Sequence, residues 1–224
     1  MVKKWTPLLV GVVAVAMIGL AVPSFAGYGA AKDAAKDAAK KQADKNSGNA
    51  YQQMIGEPAP SFTLQAVDGK SHSLSDFEGK TVVLHFQSCK CPWDVAYQDQ
   101  FNQLAKKYQD QDVVFLGINS NKNENPEMIV NYAEKAAIPY TILKDPGNKV
   151  ADRYHAKTTP HMYIIDGEGV LRYAGGVEAV PGSIKQVSNM DTQYLAPAIE
   201  AVMHGETPKK SVTKSKGCSI KRAS

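Results

Sequence analysis

Apolar residues fall into short runs separated by Gly, Pro, Asn and Asp, and the run Val82 to Phe86 is unbroken. Such a run fits a strand covered on both faces. It passes into Gln87-Ser88-Cys89-Lys90-Cys91, and a helix is predicted from Pro92, where the missing N–H costs nothing. Tyr97, Phe101, Leu104 and Tyr108 then recur at helical spacing. Upstream, Phe62 to Val67 alternates as a strand does, Asp68-Gly69 marks a turn, His72, Leu74 and Phe77 follow, and Gly79-Lys80 opens the central run. Downstream, Val113 to Ile118 is a second buried strand that ends in Asn119-Ser120-Asn121. Pro126-Glu127 starts a helix with Met128, Ile129, Tyr132 and Ala136 on one side, and Tyr140 to Leu143 is a short strand. Asp145-Pro146-Gly147 turns the chain into a helical segment from Asn148 to Tyr154. Thr158-Thr159-Pro160 precedes a strand from His161 to Ile165, and Asp166-Gly167-Glu168-Gly169 is a hairpin turn into Val170 to Tyr173. A last helix is predicted over about 191–204. This order gives an α/β fold with parallel pairing followed by an antiparallel edge. Reactive loops in such sheets lie beyond the carboxyl ends of the strands. The cysteine loop and the Asn119 loop both lie there.

The two ends lack this patterning. Lys3 and Lys4 precede an apolar run from Leu8 to Val22, closed by Ser24-Phe25-Ala26. Residues 1–26 therefore read as a secretory signal peptide cleaved after Ala26, which places the protein in the periplasm or cell envelope. Left uncleaved, the segment would anchor the chain in a membrane, although the run is short for a span of about 20 residues. Residues 27–55 form an Ala/Lys/Asp-rich linker with Ala-Lys-Asp-Ala nearly repeated and no apolar face to dock. The folded domain is expected over 56–205. Residues 206–224 are a basic tail, expected to be mobile, that carries Cys218.

Composition adds little until the cysteines are counted. The 224 residues suffice for one α/β domain with extensions, and a net charge of +4 gives no argument for nucleic acid. No Gly-rich phosphate loop appears, nothing points to zinc, and no cofactor is implied. Three cysteines in an exported chain leave at least one outside any pair. Two of them stand at the end of a strand, a pattern of reactivity more than of scaffolding. Cys91 falls at a helix N-terminus, where unpaired N–H groups and the positive end of the macrodipole favour a thiolate.

The Pro58-Ala59-Pro60, Phe62, Leu64, Asp68-Gly69, Leu74, Phe77 and Gly79-Lys80 approach, the cysteine loop after the central strand, and Thr159-Pro160 together resemble the thioredoxin-fold redoxins. Within these the chain is most similar to the alkyl hydroperoxide reductase/thiol-specific antioxidant group and to exported thiol:disulfide oxidoreductases. The resemblance covers about Gly56 to Gly205. It implies a thioredoxin-like fold, a central mixed sheet with flanking helices and an N-terminal β-hairpin extension. It also implies a nucleophile at Cys91, faced by Pro160, usually cis in the family, with Thr159 before it. The partners implied are a protein thiol or disulfide, or a small peroxide, with an external thiol as reductant. The chain departs from both branches of the family. Asp94 stands where Cys-x-x-Cys has its second sulfur, and Leu84 stands where peroxiredoxins carry Pro. Disulfide exchange and peroxide reduction both remain open.

After attack by Cys91, resolution could come from Cys89 through a strained Cys-x-Cys ring, from Cys218 on the tail, or from an external thiol. Lys90 adds positive charge beside the sulfurs or is an ordinary solvated lysine. Pro92 and Trp93 would line the site, Trp93 as apolar cover or as simple packing. Asp94 complements the helix dipole or shuttles a proton. His85 reads as a hydrogen-bonded core histidine. Asn119 and His161 could reach the cleft. A second reading from another class is a copper-binding or metallochaperone module in which Cys89, Cys91 and His161 supply a soft S₂N set.

Overall fold

The computed structural model describes residues 50–179, 182–189 and 194–223. The expected signal peptide, with its anchor alternative, and nearly all of the linker lie outside the described residues, as does the predicted start of the last helix. Strands β1 (Thr63–Ala66) and β2 (Ser71–Ser73) form the expected N-terminal hairpin, turned at Gly69, whose φ of 88° suits glycine. Strand β3 (Thr81–Phe86) then leads to helix α1 (Pro92–Tyr108), and strand β4 (Val113–Asn119) to helix α2 (Pro126–Lys135). Strand β5 (Thr141–Lys144), helix α3 (Lys149–Arg153), strands β6 (Thr158–Thr159), β7 (His161–Ile165) and β8 (Leu171–Gly175), helix α4 (Leu195–Met203) and strand β9 (Cys218–Ser219) complete the order.

The main sheet runs β2-β1-β5-β4-β3-β7-β8. Strands β3, β4 and β5 are parallel, with Phe86 opposite Ile118. On its other side β3 pairs antiparallel with β7, so that Phe86 faces His161. Every residue of β3 is buried, and the reason is alternation. Val82, Leu84 and Phe86 enter one apolar layer with Tyr154 and Tyr163. Val83 enters the other with Tyr97 and Phe101 of α1 and Ile199 of α4. An unbroken apolar run is what a strand needs when both faces are covered.

Two boundaries differ from the sequence reading. The packed chain starts before Gly56, since Tyr51, Met54 and Ile55 lie against the first apolar layer. These side chains are isolated in a polar stretch and carry no period. The larger correction concerns the tail, which is held along its length instead of being mobile. The Ser211 carbonyl accepts the Ala174 amide at 2.9 Å, and the Thr213 amide donates to the Ala174 carbonyl at 3.1 Å. Further on, β9 pairs with β6, putting Cys218 opposite Thr159. Ile220 is buried in the first apolar layer, and the Lys221 amide donates to Asn121 Oδ1 at 2.9 Å. A segment with so few apolar residues shows no periodicity; its partners are strand ends remote in sequence.

Candidate functional site

Strand β3 delivers the chain to a tight loop that Ser88 organises. Ser88 Oγ accepts the amides of Lys90 at 3.2 Å and Cys91 at 3.1 Å. The Ser88 amide donates to Asp94 Oδ2 at 2.7 Å, so the first turn of α1 holds the loop from behind. The other Asp94 oxygen accepts His85 Nε2–H at 2.7 Å, and His85 Nδ1 meets the Tyr140 hydroxyl at 3.2 Å. His85 is thus the hydrogen-bonded core residue expected. Asp94 does more than complement a dipole, being fully enclosed and tying strand to helix. Burial raises its carboxyl above the ordinary value, against the opposing pull of His85 and the Ser88 amide.

Cys91 is the residue immediately before α1 and only 2% exposed. Its thiol makes no hydrogen bond to the helix's first amides; Sγ donates to the Thr159 carbonyl at 3.0 Å. The Thr159–Pro160 bond that follows is cis. Cys218 lies across from Thr159, the residue whose carbonyl accepts the Cys91 thiol. Burial first, then the nearby Cys91 side chain, pushes the Cys218 thiol up to about 11. Pro92 is exposed at the helix start. Trp93 is partly buried, with Lys216 Nζ of the tail 4.6 Å from its ring centre.

The other predicted residues gather elsewhere. The Cys89 thiol donates to Glu124 Oε2 at 3.2 Å, and its amide does so at 3.0 Å. Burial and Glu124 push that thiol up to about 12, with Lys90 acting weakly the other way. Lys90 Nζ donates to the Asn123 carbonyl at 3.0 Å. Asn119 does not face Cys91; its Nδ2 donates to Glu124 Oε2 at 2.6 Å, and its Oδ1 accepts Lys144 Nζ at 2.9 Å. Glu124 also receives the Ser88 hydroxyl at 2.5 Å, which makes this buried acid the hub beneath the loop. Sequence reading missed it, because a single acid in a polar loop carries no local signal. His161 turns away from the cysteines: Nδ1–H donates to the Tyr163 hydroxyl at 3.3 Å, and Tyr51 packs edge-on at 5.1 Å. Its Nε2 has no hydrogen-bond partner, and burial pushes its pKa down to about 3. Among the described residues no group of three His, Cys, Asp or Glu is placed to hold a metal ion. Cys89, Cys91 and His161 are therefore not assembled as the copper reading needs.

Of the predicted set, the fold brings together Cys91, Thr159, Pro160 and Cys218, with Trp93 and Pro92 at the rim. A mixed sheet with helices on its faces and a cysteine beyond its central strand is a thioredoxin-like arrangement. A hypothetical protein of known structure from Sinorhizobium meliloti 1021 superposes with a TM-score of 0.68 at 27% identity, over 76% of this chain and 95% of that one. A chloroplastic peroxiredoxin Q from Triticum aestivum is 32% identical over 53% of this chain and 57% of its own length. The thiol-disulfide oxidoreductase ResA of Halalkalibacterium halodurans is 30% identical over 54% of this chain and 69% of its own. The chain thus spans little more than half the length of the peroxiredoxin Q relatives. The AhpC/TSA family model matches residues 55–174, more than half of the chain, and the chain belongs to that family.

Proposed function

We propose that the protein is an exported thiol–disulfide oxidoreductase in which Cys91 attacks a disulfide sulfur and Cys218 resolves the product. The observation that carries this reading is that Cys218 sits opposite Thr159, whose carbonyl accepts the Cys91 thiol at 3.0 Å immediately before Pro160. Cys91 as thiolate breaks the S–S bond of the substrate; one half leaves as a thiol and the other stays joined to Cys91. Cys218 then attacks the Cys91 sulfur and expels the second half. Two protein thiols become one disulfide, and one substrate disulfide becomes two thiols. An external thiol restores the starting state. Cys89 resolves poorly by comparison, its thiol being held protonated against Glu124. Disulfide exchange is favoured over peroxide reduction because β6, beside Cys91, pairs with an extended cysteine-bearing segment, the way a peptide substrate would bind. The signal-like segment before Ala26 supports export.

Stopped-flow mixing with a disulfide peptide, and separately with hydrogen peroxide, tests the assignment. Cys91→Ser should lose both reactions, and mass spectrometry of the oxidised parent should show a Cys91–Cys218 bond. A variant reacting as fast as the parent would remove Cys91 from the chemistry.

A further inference from the structure

The feature that the proposed chemistry leaves unexplained is how completely the chain's own tail fills the space over Cys91. Three glycines mark the fit. A Cβ at Gly217 would overlap the Thr159 carbonyl oxygen. A Cβ at Gly175 or Gly176 would collide with the backbone of Thr213 or Lys214. The tail therefore lies on the domain backbone to backbone, at both ends of its crossing. Between these contacts Lys216 lies over Trp93. Then Cys218 and Ser219 form a strand on Thr159 and Thr158, the Ile220 amide donates to the Lys157 carbonyl at 2.9 Å, and the Ile220 side chain joins the first apolar layer of the core. The Thr159 carbonyl that accepts the Cys91 thiol belongs to the strand that β9 pairs with. An outside disulfide has no route to Cys91 while this strand is in place.

From this fit we infer that residues 217–220 are a tethered occupant of the substrate groove, and that the groove selects peptides with the same chemistry. The inference rests on the reading of Cys91 as the attacking sulfur and names the substrate class for it. The peptide is an extended one with a cysteine in a disulfide, no side chain on the residue before that cysteine, and an apolar residue two positions after it. The Thr159 carbonyl excludes a Cβ at the first place, and the pocket of Ile220 accepts the apolar group at the last. The tail leaves and such a peptide pairs with β6. Cys91 opens its disulfide, releasing the outer half as a thiol. The returning tail takes back β6 as Cys218 attacks the Cys91 sulfur, so one strand replaces the other while the second peptide thiol departs.

The test uses the reduced full-length protein and homodisulfides of the peptide Lys-Gly-Cys-Ser-Ile-Lys, of its Val-Cys counterpart and of its Cys-Ser-Asp counterpart. Adducts on Cys91 are followed by quenched mass spectrometry. Both altered peptides should form the adduct about tenfold more slowly or worse, the range expected when a side chain no longer fits its pocket. Gly217→Val, and independently Ile220→Asp, should undock the tail. Each variant should react faster than the parent with the glycine peptide while keeping the preference among the three. Amide exchange over 217–221 shows that the tail has left, and exchange in β3 shows that the domain remains folded. Cys91 adducts forming at equal rates with all three peptides, in parent and undocked variants alike, would overturn the tethered occupant and leave the oxidoreductase reading intact. No Cys91 adduct with any peptide in any of the proteins would bring down both.

Discussion

His161 and Glu124 show how a single buried side chain sets the chemistry around it. His161 is fully enclosed, and burial lowers its pKa from an ordinary 6.5 to about 3. The folded chain keeps it neutral where the unfolded chain would bind a proton. Its contribution to stability is therefore whole above pH 6.5 and is lost as the pH falls toward about 3. In His161→Phe, the urea midpoint should drop less between neutral pH and about pH 4 than in the parent. Glu124 acts on Cys89 in the opposite sense, raising its pKa through a hydrogen bond and through charge. Glu124→Gln keeps the size and removes the charge. In a Cys91→Ser, Cys218→Ser background, ultraviolet titration of the remaining thiolate should then give a Cys89 pKa below about 12. Because burial is the leading cause, the value should stay above that of an exposed cysteine.

Elements obey local rules except where they meet the site. Helix α2 is started by Asn125, whose side chain accepts the Met128 amide at 2.9 Å, with Pro126 at the first helical position. Asn125→Ala should lower unfolding stability by about 1 kcal/mol in urea titration, as loss of an N-cap does. Helix α1 has Pro at the same place but no side-chain cap. Its start is instead tied to the preceding loop, by Asp94 of the first turn holding the Ser88 amide and Ser88 holding the Cys91 amide. The residue at the capping position of this helix is Cys91, the proposed nucleophile. The strand β3, the helix at Pro92 and the hairpins at Asp68-Gly69 and Asp166 were all legible in the sequence, because each is set by neighbours in sequence.

At the scale of the molecule, the proposed release of the tail predicts that the domain and its tail are stabilised by different amounts. Leu84 is in the middle of β3 and inaccessible; Leu84→Ala should cost about 2–5 kcal/mol of global stability. Ile220 is buried at 5% exposure, yet it sits on the strap that we propose leaves while the domain stays folded. Loss of its side chain cannot cost more than the free energy of docking the strap. Ile220→Ala should therefore shift the urea midpoint less than Leu84→Ala, and its main effect should be faster amide exchange confined to 217–221.

Short-range order determined much of this protein from the sequence alone. Apolar runs with their turns and caps define the α/β order and place Cys91 between the central strand and a helix. Periodicity and helix-start chemistry act over a few residues and so leave a readable trace. Contacts between distant segments were decided only by the tertiary structure: Glu124 rather than Cys91 as the neighbour of Cys89, His161 facing Tyr163 rather than the cysteines, and the tail closing over the site. A backbone hydrogen bond between Thr159 and the tail leaves no pattern in either segment, because any residue supplies the same amide and carbonyl.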